Sequence, residues 1–333
     1  MLRMGLFGCG RIGRMHADTI AAHPRMQLFA VYDVHRPAAE EVGKKHGAKI
    51  ANSVEAILDN GTVDAVLIAS STDTHVTLLE ASARAGKAIL CEKPIHLDIE
   101  RVDACWRAIK DLGPVVQLGF NRRFDPSFRA LEAALRRGEV GQLELLVITS
   151  RDPGPPPAAY IKVSGGILRD MTIHDFDLAR FMLGEEPVAV SCMATNMVDR
   201  EIGALGDHDT VMVTLQAASG ALVHINNSRR AVYGYDQRVE AHGSLGMLQA
   251  GNLRPTTVER WTAERTAAQD PLLDFFIERY HAAYVAELDA FAAAVLDGKK
   301  VPVGFDDGRR ALKLADAAYA ALRAGQTVEI DWS

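Results

Sequence analysis

Paired cysteines, basic clusters and long apolar runs are all missing from this sequence. Its four cysteines, Cys9, Cys91, Cys105 and Cys192, are scattered, with no C-x-x-C among them. That spacing excludes a disulfide framework or a cysteine zinc site and predicts reduced thiols in a cytoplasmic protein. No block of Lys or Arg exceeds two or three residues, and the net charge is −6. Nucleic-acid backbones reward clustered positive charge, so no nucleic-acid partner is expected. No window of about 20 apolar residues exists, so no spanning helix and no membrane partner are expected. The opening MLRMGLFGCG is too short for a signal h-region and runs straight into a Gly-rich turn. Internal repeats and low-complexity segments are also missing.

What the chain does have is apolar sequence for two cores. It holds 333 residues, 48% of them hydrophobic, where a domain takes roughly 100–200 residues. Up to about residue 120, short apolar runs alternate with helical patterns. Strands are predicted at 4–7, 27–32, 65–69, 88–91 and 115–119, and helices at 11–23, 37–46, 75–85 and 99–112. That alternation argues for a parallel, doubly wound sheet. Beyond Phe120 the pattern changes. Strand-like runs at 142–150, 188–195, 210–216, 221–226, 237–242 and 246–250 are separated by turn residues such as Ser219-Gly220. A helix is predicted over 171–183, two more over 276–296 and 307–324, and a last strand at TVEI. The expected fold class is α/β: an N-terminal Rossmann sheet over 1–120, then an α+β domain over 121–333 with a large, open, mostly antiparallel sheet.

Gly8-Cys9-Gly10-Arg11-Ile12-Gly13 is a G-x-G-x-x-G set between an apolar strand and an amphipathic helix. Gly8 permits the tight turn, Gly10 lets a pyrophosphate approach the backbone, and Gly13 lets helix pack on strand. The pyrophosphate then meets the positive end of the helix. Asp33 ends the second strand twenty residues after Gly13, where a carboxylate would accept from the ribose hydroxyls and repel a 2′-phosphate. NAD is therefore the expected cofactor, in preference to NADP. The loop after the third strand, with Ser70, Ser71, Thr72 and His75, is expected to line the nicotinamide side, because ligands sit at the carboxyl ends of strands. Asp73 or Thr74 in that loop also reads as a helix N-cap.

The fourth strand ends in Cys91-Glu92-Lys93-Pro94. A Lys in that E-K-P, after such a glycine set, resembles the glucose–fructose oxidoreductase/inositol dehydrogenase (Gfo/Idh/MocA) family. The segment Gly165-Gly166-Ile167-Leu168-Arg169-Asp170-Met171-Thr172-Ile173-His174-Asp175 resembles the family's second signature, and Gly119–Asp125 and Ser150–Pro153 resemble its inositol 2-dehydrogenase branch. The resemblance covers essentially the whole chain. It implies oxidation of a polyol secondary hydroxyl, with Lys93, Asp170 and His174 catalytic and Glu92 and Lys93 beside the cofactor. It also places Asn121, Arg122, Asp152, Thr172 and Tyr235 near the substrate, and implies a homo-oligomer, a dimer or tetramer, formed through the open sheet.

The chemistry suits those residues. His titrates near neutrality and can take the hydroxyl proton. Lys93 can stabilise charge on the reacting oxygen. Asp170 and His174, at i and i+4, are expected on one helix face, where Asp170 orients the imidazole or holds a substrate hydroxyl. Whether Tyr233 or Tyr235 faces the site is open. A metal site is not expected, since the chain has no H-E-x-x-H. Cys91 reads as a small buried hydrophobe. Myo-inositol is the expected substrate. Scyllo- or chiro-inositol or an aldose would keep the mechanism, whereas a non-catalytic NAD(H) sensor would carry a degraded Lys93/Asp170/His174 set.

Overall fold

In the computed structural model, which describes residues 1–332, the chain forms two compact units. The first is Met1–Phe124 with Ala282–Leu312, and the second is Asp125–His281 with Lys313–Ser333. The contacts therefore do not divide at residue 120 alone, because a late segment returns to the first unit.

The first unit is built on a six-stranded sheet in the order β3-β2-β1-β4-β5-β6. Its strands are β1 (Leu2–Phe7), β2 (Met26–Tyr32), β3 (Lys49–Ile50), β4 (Ala65–Ile68), β5 (Ala88–Cys91) and β6 (Val116–Leu118). Every pairing is parallel. The apolar runs of β4 and β5 are buried at every residue, as strands covered on both faces must be. Helices Arg11–Ala22, Arg36–His46, Thr72–Arg84 and Ile99–Ile109 make the crossovers. On the returning helix His281–Asp297, Leu288, Phe291 and Ala292 share one core with Leu2, Leu6, Leu28 and Leu67. This explains why the tail helix is so apolar. The single helix expected over 276–296 is broken at Tyr280 into Phe276–Arg279 and His281–Asp297.

The second unit carries a seven-stranded sheet in the order β12-β11-β7-β10-β9-β8-β15. Here β7 is Leu143–Arg151, β8 Pro187–Thr195, β9 Thr210–Ala217, β10 Leu222–Ser228, β11 Asp236–Gly243 and β12 Gly246–Ala250. A small ribbon pairs β13 (Glu259–Arg260) with β14 (Ala268–Gln269), and β15 is Val328–Glu329. Only β7 and β10 run parallel. Strict alternation in β9 puts Val211, Val213, Leu215 and Ala217 inside and leaves Met212 outside. A helix at Pro126–Arg136 was not foreseen, although its start signal is present. Asp125 caps it, accepting from Ser127 N at 3.0 Å and Phe128 N at 3.1 Å, with Pro126 in the first turn. No helix among the described residues is long and apolar enough to cross a membrane.

Candidate active site

The glycine loop follows β1. Gly8 has φ +94°, and a side chain there would bring its first carbon within 2.5 Å of the Ala69 carbonyl oxygen. A side chain at Gly13 would collide with the Gly8 carbonyl. Gly10 is different: nothing lies within 4 Å of where its Cβ would be, and the residue is exposed. Gly10 also caps the helix Arg11–Ala22 with no side-chain acceptor and no acid in the first turn. Two glycines thus close the turn, and the third leaves open space before a positively polarised helix end, which fits a pyrophosphate. Arg11 is exposed and Ile12 half-buried on that first turn. Asp33 locks the loop from the side. Its Oδ2 accepts from Cys9 N at 2.6 Å and its Oδ1 from His35 N at 2.7 Å. Both oxygens keep a further lone pair for ribose hydroxyls. The residues present fit a dinucleotide.

The ends of β4 and β5 supply the next groups. Ser71, not Asp73 or Thr74, stands at the N-cap position of the helix Thr72–Arg84, with no side-chain capping bond, because the helix starts one turn earlier than expected. Ser70 Oγ pairs with Thr74 Oγ1 at 2.6 Å. His75 departs from its expected role at the cofactor. It is 1% exposed, with Nδ1 2.8 Å from the Pro94 carbonyl and Nε2 3.1 Å from the Ser70 carbonyl. Burial pushes its pKa down, and the neutral ring, with one N–H, donates to only one of these two carbonyls while it packs between the two loops. The Lys93-Pro94 peptide is cis. Glu92 Oε1 lies 2.8 Å from His16 Nε2. After β6, Asn121 and Arg122 sit in the short turn Asn121–Phe124, at 3% and 4% exposure. Burial pushes the Cys9 and Cys105 thiols up to about 12 and raises the Cys91 thiol well above its ordinary value, as inert hydrophobes.

In the second unit, Gly165 and Gly166 both have φ +82°. A side chain at Gly166 would run into Tyr319 and Asp207, and Ile167 N donates to Asp207 Oδ1 at 2.8 Å. Asp170 and His174 do not share one continuous helix. Asp170 ends the turn Ile167–Asp170, the chain breaks at Met171, and His174 lies in the helix Thr172–Leu183. The Asp170 carboxylate is held by side chains from elsewhere. Tyr160 donates to Oδ1 at 2.8 Å, and Arg229 reaches Oδ2 at 3.3 Å. Arg229 is 1% exposed and also reaches Asp207 at 3.5 Å. Thr172, expected at the substrate, is fully buried. Its hydroxyl donates to Asn227 Oδ1 at 2.6 Å; Asn227 donates to Asp175 Oδ2 at 2.8 Å, and Ser150 donates to Asp175 Oδ1 at 2.6 Å. Thr172 therefore braces the helix that bears His174.

Of the two tyrosines flanking Gly234, Tyr235 is packed at 6% exposure against Phe275 and Tyr280. Tyr233 is the exposed one, with its hydroxyl between Arg151 Nη1 at 2.9 Å and Asp236 Oδ2 at 2.7 Å. Asp152 is half-buried, its amide donating to the Ser228 carbonyl at 2.9 Å. A cavity of about 870 Å³ lined by Tyr233, Asp236, Arg238, Asn252, Arg254 and Asp270 contains neither Asp170 nor His174.

Residues 2–120 match the oxidoreductase family with an NAD-binding Rossmann fold, and residues 128–249 match the GFO/IDH/MocA C-terminal domain. The chain belongs to the GFO/IDH/MocA oxidoreductase family. It is an oxidoreductase whose first unit carries the family's NAD-binding fold. Inositol 2-dehydrogenase of Rhizobium meliloti is 48% identical over 99% of both chains. A myo-inositol dehydrogenase from Corynebacterium glutamicum superposes with a TM-score of 0.96 at 47% identity, covering 100% of both chains. The scyllo-inositol dehydrogenase of Lactobacillus casei, solved with NAD(H) and scyllo-inositol, superposes with a TM-score of 0.92 at 28% identity over 99% of both chains.

Several residues around Asp170 and His174 were not visible in the sequence as partners of these two. Tyr160, Asp207, Arg229 and Asn227 hold Asp170 and the His174 helix from distant positions, with no local motif. The one available signal was Arg229 itself, an arginine at the end of an alternating strand pattern, and nothing in that pattern says that it points inward.

Proposed function

We propose that the chain oxidises one secondary hydroxyl of a cyclic polyol with NAD, and that myo-inositol is its substrate. The observation that carries this is the end-to-end 48% identity to an inositol 2-dehydrogenase, with Lys93, Asp170 and His174 all present. Bound NAD supplies the acceptor for the hydride that leaves the carbinol carbon. His174 takes the hydroxyl proton, and Lys93 hydrogen-bonds the reacting oxygen as negative charge develops there. Asp170, anchored by Tyr160 and Arg229, holds a neighbouring substrate hydroxyl. Asp33, fixed beside the glycine loop, favours NAD over NADP. Residues 1–120 take the cofactor and 121–333 the substrate, in an enzyme working in the cytoplasm. Asn121, Arg122 and Asp152 supply further polar contacts.

We also infer a homo-oligomer through the open sheet face. Met193 faces Met212 across β8 and β9, and Leu145 faces Leu222 across β7 and β10, all at 42% exposure or more. Apolar pairs of this kind favour a covering partner.

The test is NADH absorbance with NAD or NADP and a panel of myo-, scyllo- and chiro-inositol, glucose and xylose. Myo-inositol with NAD should turn over fastest, and Lys93→Ala or His174→Ala should cost roughly 10²–10⁴-fold in kcat with NADH binding intact. Faster turnover of another polyol would move the substrate and keep the mechanism. Silence across the panel would sink the enzymatic reading.

A further inference from the structure

The chain passes between the two units three times, at Phe124–Asp125, at His281–Ala282 and at Leu312–Lys313. The third passage lies inside the continuous helix Phe305–Ala324, whose own hydrogen bonds stiffen it. The first two lie at breaks. The short turn Asn121–Phe124 runs into the helix Pro126–Arg136, and the helix Phe276–Arg279 stops at Tyr280, just before His281–Asp297. One ion pair, outside every role assigned so far, joins the two breaks. Arg279 Nη1 donates to Asp125 Oδ2 at 2.5 Å, with the two side chains 1% and 2% exposed.

Each partner is held further. The other Asp125 oxygen, Oδ1, caps the helix Pro126–Arg136. The Arg279 guanidinium lies 4.8 Å from the Tyr280 ring centroid and 5.6 Å from that of Phe128, and its Nε and Nη2 have no acceptor among the described residues. Ring faces take up the cation instead, a contact that suits a planar guanidinium better than an ammonium. Tyr280 in turn donates to Gln237 Oε1 at 3.2 Å and packs edge-on against Tyr235, with centroids 6.0 Å apart. Within the turn itself, Arg123 Nη2 donates to Asp307 Oδ1 at 2.8 Å, in the first turn of the helix Phe305–Ala324.

Replacing a buried ion pair by apolar groups of similar volume is often neutral for stability, whereas removing one partner strands a charge. Such a pair therefore acts on register: any alignment of the two segments other than this one leaves Asp125 or Arg279 buried alone.

We propose that Asp125 and Arg279 are positioning residues: by pinning the two broken passages to each other, they fix the turn that presents Asn121 and Arg122 to the substrate. The proposal rests on the substrate role given above to Asn121 and Arg122.

The experiment compares the full-length wild type with Asp125→Asn/Arg279→Met, Arg279→Lys and Asn121→Ala. The double variant keeps an oxygen for the helix cap and leaves neither charge stranded, so its fold is retained where a single loss would threaten it. In the apoprotein, amide hydrogen exchange of the double variant should be about tenfold faster over 119–128 and 275–284 and unchanged elsewhere. With NAD and myo-inositol, its KM should rise about tenfold, while kcat and NADH affinity stay within about twofold of wild type. Arg279→Lys, which keeps the charge without the planar stack, should show a smaller rise in KM. Asn121→Ala should raise KM by itself, and should add less than its own factor in the double variant, because both changes act through one group. A purely structural pair would change exchange and Tm with KM untouched. Wild-type exchange over the two segments, or a wild-type KM in the double variant, overturns the proposal. Failure of the substrate reading would show separately, as a wild-type KM in Asn121→Ala, and the exchange measurement is independent of it.

Discussion

In the first unit, the groups arranged for the cofactor are mostly main chain: the turn at Gly8, the open approach at Gly10, and the Cys9 and His35 amides that hold Asp33. In the second unit they are side chains braced by other side chains. Asp170 hangs on Tyr160 and on the buried Arg229, and the helix of His174 stands on Thr172, Asn227, Asp175 and Ser150. The first arrangement depends on what is absent, a Cβ. The second depends on each member of a buried polar network finding its partner. The two should therefore break in different ways.

The largest effect is expected where a buried charge loses its partner. Arg229→Leu leaves the Asp170 and Asp207 carboxylates without it in a nearly dry site. Removing one member of a buried ion pair costs about 3–5 kcal/mol. Denaturant unfolding of the variant should show a loss of that order, and kcat should fall with it as Asp170 loses its anchor. A loss below about 1 kcal/mol, the range of an exposed pair, would mean that the second unit is not network-held as described.

The glycine loop should separate into two behaviours. Gly13→Ala puts a methyl into the Gly8 carbonyl, and overpacking of that kind costs about 1–3 kcal/mol. Gly10→Ala meets nothing in the protein, so it should keep the wild-type Tm and weaken only NADH binding, measured by fluorescence titration. Equal Tm losses in the two variants would erase the distinction between a glycine needed by the fold and one needed by the ligand.

That contrast also explains what could be read in the sequence. The glycine set, Asp33 and the E-K-P are local, and each needs only a strand end and a helix start, so the first unit's site was legible in order along the chain. The period-two runs of β7 to β12 likewise gave the open sheet. The supports of Asp170 were not legible, because Tyr160, Asp207 and Arg229 come together only through strand pairing and burial. Thr172 was misplaced for the same reason. Beside His174 in the chain it looks like a substrate contact, but helix geometry turns its hydroxyl inward to Asn227. His75 was misplaced in the opposite sense, since a polar loop residue beside a cofactor site became a buried strut. The returning helix escaped notice because a run apolar on most of its surface does not say which core it enters.

His75 is an exception to the main-chain character of the first unit, and it gives the smallest and most specific effect. Its ring packs between the Ser70 and Pro94 carbonyls and, when neutral, donates its one N–H to one of them, between the loop after β4 and the loop after β5. Because burial lowers its folded-state pKa, the stability it contributes is present above the unfolded value, about 6.5, and is lost as pH falls. Glu287, fully buried on the helix His281–Asp297, acts in the other direction: burial raises its carboxyl pKa, so its contribution is lost as pH rises. His75→Gln keeps an N–H donor and removes the titration, so at neutral pH it should cost only about 1 kcal/mol, the worth of a single hydrogen bond. Its Tm should then fall less than that of the wild type on going from about pH 7 to about pH 5. The double variant with Glu287→Gln should flatten both limbs, since each change removes one proton-linked group and the two shifts run in opposite directions. An acid limb that stays as steep in His75→Gln as in the wild type would assign it to other groups and reduce His75 to a packing residue, making the first unit's site wholly a matter of backbone.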